Sequence, residues 1–215
     1  MTTKYGGYMG KVLKIDLSTR ETTEYPWSDE ERELYIGGKT MAAKILGDNL
    51  KSSTKPFSEE NMLVITTGPL TGTGAPSSSR FNVSTLSPQT KIITSSNCGG
   101  NFGYYLKKAG LDGIVISGKS DCPVWLEINN GNVVFNDASD LWGMKTSEIQ
   151  QVLDKRLEEK SGKPVKNGKL VTSCVYPAEE GMEVYTNTPK VLDSRKKTLQ
   201  LLLSNHNRSC LSCVR

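Results

Sequence analysis

The stretch MLVITTGPLTGTGAPSSSRFNVSTLSP, residues 62–88, lies near the middle of the chain and is the most informative part of the sequence about the fold. Its first seven residues, 62–68, form a short apolar run that ends at glycine, which is typical of a buried strand. A loop rich in glycine and hydroxyl residues follows over 68–80, and a second β-like segment covers 81–86. The stretch therefore predicts two strands joined by a glycine-rich loop.

On both sides of this stretch, strand-like and helix-like segments are mixed. Further strands are predicted at 10–17, 20–25, 91–95, 113–118, 124–128 and 132–135, and helices at 28–36, 39–50, 101–109 and 146–160. The first helix begins with Ser28 and three acidic residues, which is the pattern of a helix cap. Because the order shows no regular strand–helix–strand alternation, the sequence predicts an α+β fold.

Size and composition limit the class of protein. The chain has 215 residues, of which 36% are hydrophobic, and this length suits one large domain with a short appendage. No run approaches the roughly 20 apolar residues that cross a bilayer, and the N-terminus has no apolar core of a signal peptide. We therefore expect a cytoplasmic protein without a membrane partner. Five cysteines and one histidine indicate metal or redox chemistry in that compartment.

Positive charge is concentrated in the last quarter of the chain. Residues 161–215 carry nine Lys or Arg against four acids, whereas residues 1–160 carry 18 against 19. This pattern suits a solvated helix face, attraction to an anionic redox protein, or nucleic acid. The segment offers only Tyr176 and Tyr185 as aromatic platforms, so nucleic acid is not expected as a partner.

Two glycine-rich segments are candidates for anion binding. They are GPLTGTGAPSSSR, 68–80, and SNCGGNFG, 96–103. Glycine lets backbone N–H groups approach an oxyanion, and arginine binds phosphate through two parallel hydrogen bonds. Neither segment is a P-loop or a dinucleotide fingerprint. The two segments flank one predicted strand pair and so could line one site, although a plain loop explains the pattern equally well.

The ordered motifs GYMGKVLKIDLST, 7–19, TGPLTGTGAPSSSRFNVSTLSP, 67–88, SSNCGGNFGYYLKKAGLDGIVISGKS, 95–120, and DASDLWG, 137–143, carry a family resemblance. Over about residues 5–158 the chain resembles the N-terminal domain of the tungsten-containing aldehyde:ferredoxin oxidoreductases. The resemblance implies a two-sheet α+β domain that forms the base on which a tungsten, or molybdenum, bis-pterin cofactor lies.

The resemblance also assigns binding residues. Arg80 matches an arginine near the pterin phosphates, and Asn97 matches an asparagine that binds the pterin and offers its backbone carbonyl to a bridging Mg²⁺. Gly99 matches a glycine whose backbone lies against the pterin, and Gly100 beside it is assigned with it to cofactor binding. The alternative for Arg80 is a surface salt bridge. No catalytic residue is assigned, and Cys98 and Cys122 are interpreted as structural.

The tail HNRSCLSC, 206–213, has thiolate and imidazole ligands at a spacing that suits an iron–sulfur cluster or zinc. Its surroundings resemble the iron–sulfur region of the NADH dehydrogenase large subunit and the iron-only hydrogenases. That resemblance makes His206, Cys210 and Cys213 three of four ligands to a 4Fe–4S cluster. It makes Cys174 the last of four ligands to a 2Fe–2S cluster. Both sets are incomplete, and Cys174 has the alternative of a buried free cysteine.

These resemblances predict a tungstopterin-binding domain at 1–160, a linker at 161–168 and a partial ferredoxin-like strand–helix appendage at 169–215. They imply an anaerobic prokaryote and an oxidoreductase, fragment or subunit, that oxidises aldehydes to carboxylates and passes electrons to iron–sulfur centres. The alternative is a small electron-transfer or assembly subunit. The implied partners are a ferredoxin or iron–sulfur subunit, the remaining oxidoreductase domains, or a second copy in a homodimer. We expect no activity from the isolated chain.

Overall fold

The computed structural model describes residues 3–161, and side chains as far as residue 159. Apart from Ser161, the predicted linker at 161–168 and the predicted strand–helix appendage at 169–215 lie outside the described residues. So do four predicted iron–sulfur ligands, Cys174, His206, Cys210 and Cys213.

The described part contains eight strands and four helices. In chain order they are β1 Val12–Asp16, β2 Thr22–Tyr25, α1 Asp29–Tyr35, α2 Gly38–Asn49, β3 Leu63–Thr67, β4 Phe81–Leu86, β5 Ile93–Cys98, α3 Phe102–Lys108, β6 Gly113–Ser117, β7 Val124–Asn129, β8 Asn132–Asp137 and α4 Thr146–Ser161. The predicted α+β class is confirmed.

The strands form the two expected sheets. The larger sheet has the order β2-β1-β6-β3-β4-β5, in which only β1 and β6 run parallel, and the hairpin β7–β8 forms the smaller sheet. As a result, β5 is an edge strand next to β4. The glycine-rich loop 68–80 connects β3 to β4, and the short segment 99–101 connects β5 to α3.

Apolar side chains cover both faces of the larger sheet. On one face, α2 packs its buried side against Val12, Val64 and Val115. On the other face, Leu13 and Ile114 contact a cluster that includes residues of α3 and of the β7–β8 hairpin. This division follows from the alternation of side chains along a strand. The sheet is therefore a firm base for the loops at its ends.

Two local details test the sequence reasoning. Ser28 caps α1 as predicted, because its hydroxyl accepts from the Glu31 N–H while the Glu31 carboxylate accepts from the Ser28 N–H. Strand β5, in contrast, was predicted at 91–95 and lies at Ile93–Cys98. The turn before it takes up residues 88–92, since the Ser87 N–H donates to the Ile92 carbonyl. The strand then continues opposite β4 as far as Cys98.

The chain divides into two compact units, Met1–Met144 and Lys145–Arg215. The first holds all eight strands. The described part of the second is helix α4, whose first turn is closed by the Lys145 N–H donating to the Glu148 carboxylate. The predicted domain boundary at 160 stays a prediction. Within residues 3–161, none of the helices combines the length and apolar character that crossing a bilayer requires.

Candidate anion-binding site

The two glycine-rich segments meet at one end of the β4–β5 pair. The antiparallel register places Phe81 opposite Cys98 and Asn82 opposite Asn97. Phe81 and Cys98 are the last pair at this end; Arg80 directly precedes Phe81, and Gly99 directly follows Cys98. The structure therefore brings Arg80, Asn97 and Gly99 together, as expected if both segments line one site.

The hydroxyl groups of loop 68–80 hold the loop itself together. The Thr71 hydroxyl accepts from the Gly68 N–H at 3.2 Å and donates to the Arg80 carbonyl at 3.1 Å, so it joins the two ends of the loop. The hydroxyls of Thr73 and Ser78 donate to carbonyls inside the same loop. Hydroxyl groups in such a loop are also potential donors to an anion. Three of them are instead used in folding the loop.

Helix α3 packs closely against loop 68–80 at two glycines, one in the loop and one in the helix. Gly72 has a φ of +78°, and a Cβ there would lie 3.2 Å from the Lys107 Cβ. Gly103 is buried in α3, and a Cβ there would lie 3.1 Å from the Ser79 carbonyl oxygen. These glycines allow the close approach that fixes the position of Arg80, a role that the sequence analysis did not assign to them.

The glycines after β5 have the opposite environment. Nothing lies within 4 Å of a Cβ built at Gly99 or Gly100, and Gly100 has a φ of +86°. Both glycines and Asn97 are exposed. The surface here is an open stretch of backbone on which a flat group could lie. Arg80, Asn97 and this open backbone thus fit an anionic, planar ligand such as a pterin phosphate.

Asn97 is braced from the buried side of the strand pair. The Ser84 hydroxyl donates to the Asn82 side-chain oxygen at 2.7 Å, and the Asn82 side-chain amide donates to the Asn97 side-chain oxygen at 3.2 Å. Asn82 is 1% exposed. Because the Asn97 oxygen is engaged, its amide group is left to donate outward. Asn82 was not predicted as part of the site, although a polar residue at an inward position of the strand FNVSTL is the signal for it.

Charge around the site favours anions. Residues 61–111 contain no Asp or Glu. Of their four cations, Lys107 is paired with Asp112 and Lys91 lies in the turn at the opposite end of the strand pair, which leaves Arg80 and Lys108. Arg80 is exposed, and no salt bridge to it is found within residues 3–161. The described part therefore does not support the alternative of a surface salt bridge for Arg80.

A buried ion pair holds the base of the site. The Lys107 ammonium donates to the Asp112 carboxylate at 2.5 Å, and both side chains are at most 5% exposed. The same carboxylate accepts from the Met9 and Gly10 N–H groups, and the Asp112 carbonyl accepts from the Thr67 N–H. Asp112 thereby connects the N-terminal segment, α3 and the start of loop 68–80. This pair was not predicted, because in the sequence the two residues look like ordinary surface charges at the end of a helix.

The cysteines of the described part are not structural in the expected sense. Cys98 and Cys122 are both free and exposed, so neither belongs to the core. Cys98 ends β5 beside Gly99. Within residues 3–161, no group of three His, Cys, Asp or Glu residues is placed to hold a metal ion.

Comparison with known proteins places these features in a family. The model of the aldehyde ferredoxin oxidoreductase N-terminal domain matches residues 12–178, which runs past the predicted boundary at 160. The tungsten-containing aldehyde ferredoxin oxidoreductase of Thermococcus kodakarensis is 38% identical over 178 residues, 83% of this chain and 28% of that protein. The chain thus spans about a quarter of the length of the relatives it matches.

A solved structure supports the same relationship. The BamBC active-site complex of benzoyl coenzyme A reductase, with bound 1,5-dienoyl-CoA, aligns with a TM-score of 0.69 and 40% identity. The alignment covers 72% of this chain and 24% of that one.

Shorter matches reach subunits of a hydrogenase and of NADH oxidoreductases. The NADP-reducing hydrogenase subunit HndD of Solidesulfovibrio fructosivorans is 44% identical over 46 residues, or 21% of this chain. The NADH-ubiquinone oxidoreductase 75 kDa subunit of Reclinomonas americana is 42% identical over 55 residues. Both resemblances stated from the motifs are confirmed. The hydrogenase and NADH oxidoreductase matches are short, whereas the family model covers more than half of the chain. The chain therefore belongs to the aldehyde ferredoxin oxidoreductase N-terminal domain family.

Proposed function

We propose that the end of the β4–β5 pair binds the paired phosphates of a tungsten or molybdenum bis-pterin cofactor. In this proposal the chain is the cofactor-cradling part of an oxidoreductase that converts aldehydes to carboxylates. The single observation that carries the proposal is the meeting of Arg80 and Gly99 across the last pair of the two strands. The tungsten-containing relatives support the choice of cofactor.

Each residue has a distinct role in this cradle. Arg80 offers a planar set of donors, which suits a phosphate oxygen pair. Asn97, held by Asn82, would donate its side-chain amide to the pterin, and its backbone carbonyl would supply an oxygen of the kind that Mg²⁺ prefers. The open backbone at Gly99 and Gly100 lets the ring system lie against the chain.

The cofactor, when bound, supplies the two-electron chemistry of the aldehyde oxidation. The residues of this chain bind and orient it, and we assign none of them a proton transfer or a covalent step. Reduction of a ferredoxin or of an iron–sulfur partner subunit, and contact with further oxidoreductase domains or with a second copy, belong to the same proposal.

The experiment is a calorimetric titration of the full chain with magnesium pyrophosphate, a probe for the paired phosphates. We expect saturable binding, which Arg80→Gln weakens about tenfold, since a charge-assisted hydrogen bond contributes about 1.5–3 kcal/mol. Lys91→Gln is the matched control, because Lys91 lies in the turn at the opposite end of the strand pair. Absence of binding in the wild type, or equal losses in both variants, would contradict the proposal.

A second candidate function rests on the short matches to HndD and the 75 kDa subunit. Here the chain is an electron-transfer or assembly subunit that uses His206, Cys210 and Cys213 for a 4Fe–4S cluster, whereas Cys174 belongs to the separate 2Fe–2S set. A partner supplies the missing thiolate. Anaerobic reconstitution followed by iron and sulfide analysis tests it. About four irons per chain, lost in Cys210→Ser, support the cluster; an iron content unchanged by that substitution argues against it.

A further inference from the structure

The segment GGYMG, residues 6–10, precedes β1 and forms what we call the strap. It belongs to no helix or strand, and such segments ordinarily run over the surface in contact with water. The strap is bonded instead to every charged side chain that is buried among the described residues, namely Arg32, Lys107 and Asp112. Each of these side chains is at most 5% exposed.

The buried charges bind the backbone of the strap. The Lys107 ammonium donates to the Gly7 carbonyl at 2.8 Å. The Arg32 guanidinium donates to the Gly10 carbonyl at 3.0 Å. The Asp112 carboxylate accepts from the Gly10 N–H at 2.8 Å and from the N–H of the residue before it at 2.9 Å. A buried charge is costly unless hydrogen bonds compensate it, so these bonds fix the position of the strap.

The strap lies against the start of loop 68–80. Gly7 has a φ of +86°, and a Cβ there would lie 2.5 Å from the Pro69 carbonyl oxygen. Glycine is therefore required here both by the backbone conformation and by the close approach. Lys107, which holds Gly7, also packs against the loop, because a Cβ at Gly72 would lie 3.2 Å from the Lys107 Cβ. The strap and the loop thus share one buried lysine.

Tyr8 connects the strap to the turn between α1 and α2. Its hydroxyl donates to the Ile36 carbonyl at 2.6 Å. Ile36 has a φ of +59°, which a β-branched residue adopts only when its surroundings hold it there. A Cβ at the next residue, Gly37, would lie 2.6 Å from the Thr67 carbonyl oxygen. The strap therefore reaches the base of the loop by two routes, directly at Pro69 and through this strained turn.

We propose that the strap is a positioning element of the anion site, in which Gly7 and Tyr8 hold the glycine-rich loop in the conformation that presents Arg80. The contact is passed on inside the loop, because the Thr71 hydroxyl bonds both the Gly68 N–H and the Arg80 carbonyl. A site whose donors are already ordered loses less free energy when its ligand binds. The identity of that ligand rests on the proposed function.

The test compares two strap variants, each with a matched control. Gly7→Ala is paired with Gly6→Ala, because nothing lies within 4 Å of a Cβ at Gly6 and the control adds the same methyl group without the clash. Tyr8→Phe removes one hydroxyl group and is paired with Tyr5→Phe, whose hydroxyl bonds a surface carboxylate. Tyr8→Phe also covers the case in which Gly7→Ala does not fold.

Hydrogen exchange of the ligand-free full chain measures whether the strap holds the loop. The Thr71 and Thr73 N–H groups donate to carbonyls within the loop. We expect them to exchange about fivefold faster in both strap variants than in the controls, which corresponds to the loss of one hydrogen bond. The amides of the central strands β3 and β6 should exchange at wild-type rates, because the opening is local. Loop exchange equal to that of the controls, or an equal increase in these strands, would overturn the proposal.

Calorimetric titration with magnesium pyrophosphate measures the consequence for the site. We expect both strap variants to bind about fivefold more weakly than the wild type, and both controls to bind equally well. A loss of global stability alone would leave the affinity of the folded molecules unchanged, so equal affinities in variants and controls would overturn the positioning role. If the wild type does not bind pyrophosphate, the proposed function fails, and loop exchange alone decides for or against the strap.

Discussion

Replacing Lys107 by methionine is expected to destabilise the first compact unit strongly. The substitution keeps the length of the side chain but removes the cation that lies 2.5 Å from the Asp112 carboxylate. The carboxylate is 3% exposed and would keep only its two backbone donors, from Met9 and Gly10. Removing one partner of a buried pair costs about 3–5 kcal/mol, because an uncompensated charge stays buried.

Urea denaturation, followed by tryptophan fluorescence, to which the buried Trp27 contributes, measures this loss as a lower midpoint with an unchanged slope. In thermal unfolding the same free energy corresponds to a fall in Tm of about 6–20 °C, at about 2–4 °C per kcal/mol for a protein of this size. The matched control is Lys108→Met, one residue further on. Lys108 is exposed and lies over the Tyr104 ring, so we expect a change within about 0.5 kcal/mol.

A second substitution separates charge from packing. In the Lys107→Met background, Asp112→Asn removes the stranded charge and keeps a carbonyl acceptor for the backbone donors. The double variant should therefore be more stable than Lys107→Met alone, by about 1–2 kcal/mol. The reasoning fails if the double variant is less stable than the single one, or if Lys107→Met costs no more than its control.

Three further predictions concern the loop, the site and pH. Gly103→Ala should lower the free energy of unfolding, measured by urea denaturation, by about 1–3 kcal/mol, because its Cβ would lie 3.1 Å from a backbone oxygen. Gly74→Ala, with no atom within 4 Å of its Cβ, should lower it far less. Equal losses in the two variants would refute the packing argument. Asn82→Ala should weaken magnesium pyrophosphate binding, because Asn97 loses its brace; calorimetry showing unchanged affinity would remove Asn82 from the site. The Thr19 and Ser18 N–H groups lower the pKa of Asp16. The ionised Asp16 side chain therefore stabilises the fold above its unfolded pKa, and this stabilisation is lost as pH falls through the folded pKa. Asp16→Asn should flatten the acid limb of a plot of Tm against pH, and an unchanged limb would count against this contribution.

The sequence predicted most of the secondary structure and the two ends of the site. Apolar alternation and glycine boundaries were enough to find β3, β4 and β6, because burial on a sheet face leaves a local pattern. The family motifs pointed to Arg80, Asn97 and Gly99, and the register of β4 with β5 brings them together. The exact span of β5 was misjudged, because an edge strand exposed on both faces has no apolar alternation.

What the sequence did not reveal was long-range hydrogen bonding. Asp112 binds backbone groups about a hundred residues away, and no local pattern records such a partner. The hydroxyls of Thr71 and Thr73 look the same in sequence whether they face a ligand or fold their own loop. Close approach at Gly103 was also invisible, because it depends on how α3 packs across the loop.

The central claim is that the end of the β4–β5 pair cradles a tungsten or molybdenum bis-pterin cofactor. The most direct test is the metal and pterin content of the full chain, purified without oxygen from a host that makes the cofactor and is supplied with tungstate. We predict that tungsten and pterin copurify in a ratio of about one to two, as expected for a bis-pterin, and are retained by Lys91→Gln. Arg80→Gln should lose most of both. A wild-type chain without pterin, or an Arg80→Gln variant that retains the full content, would contradict the claim.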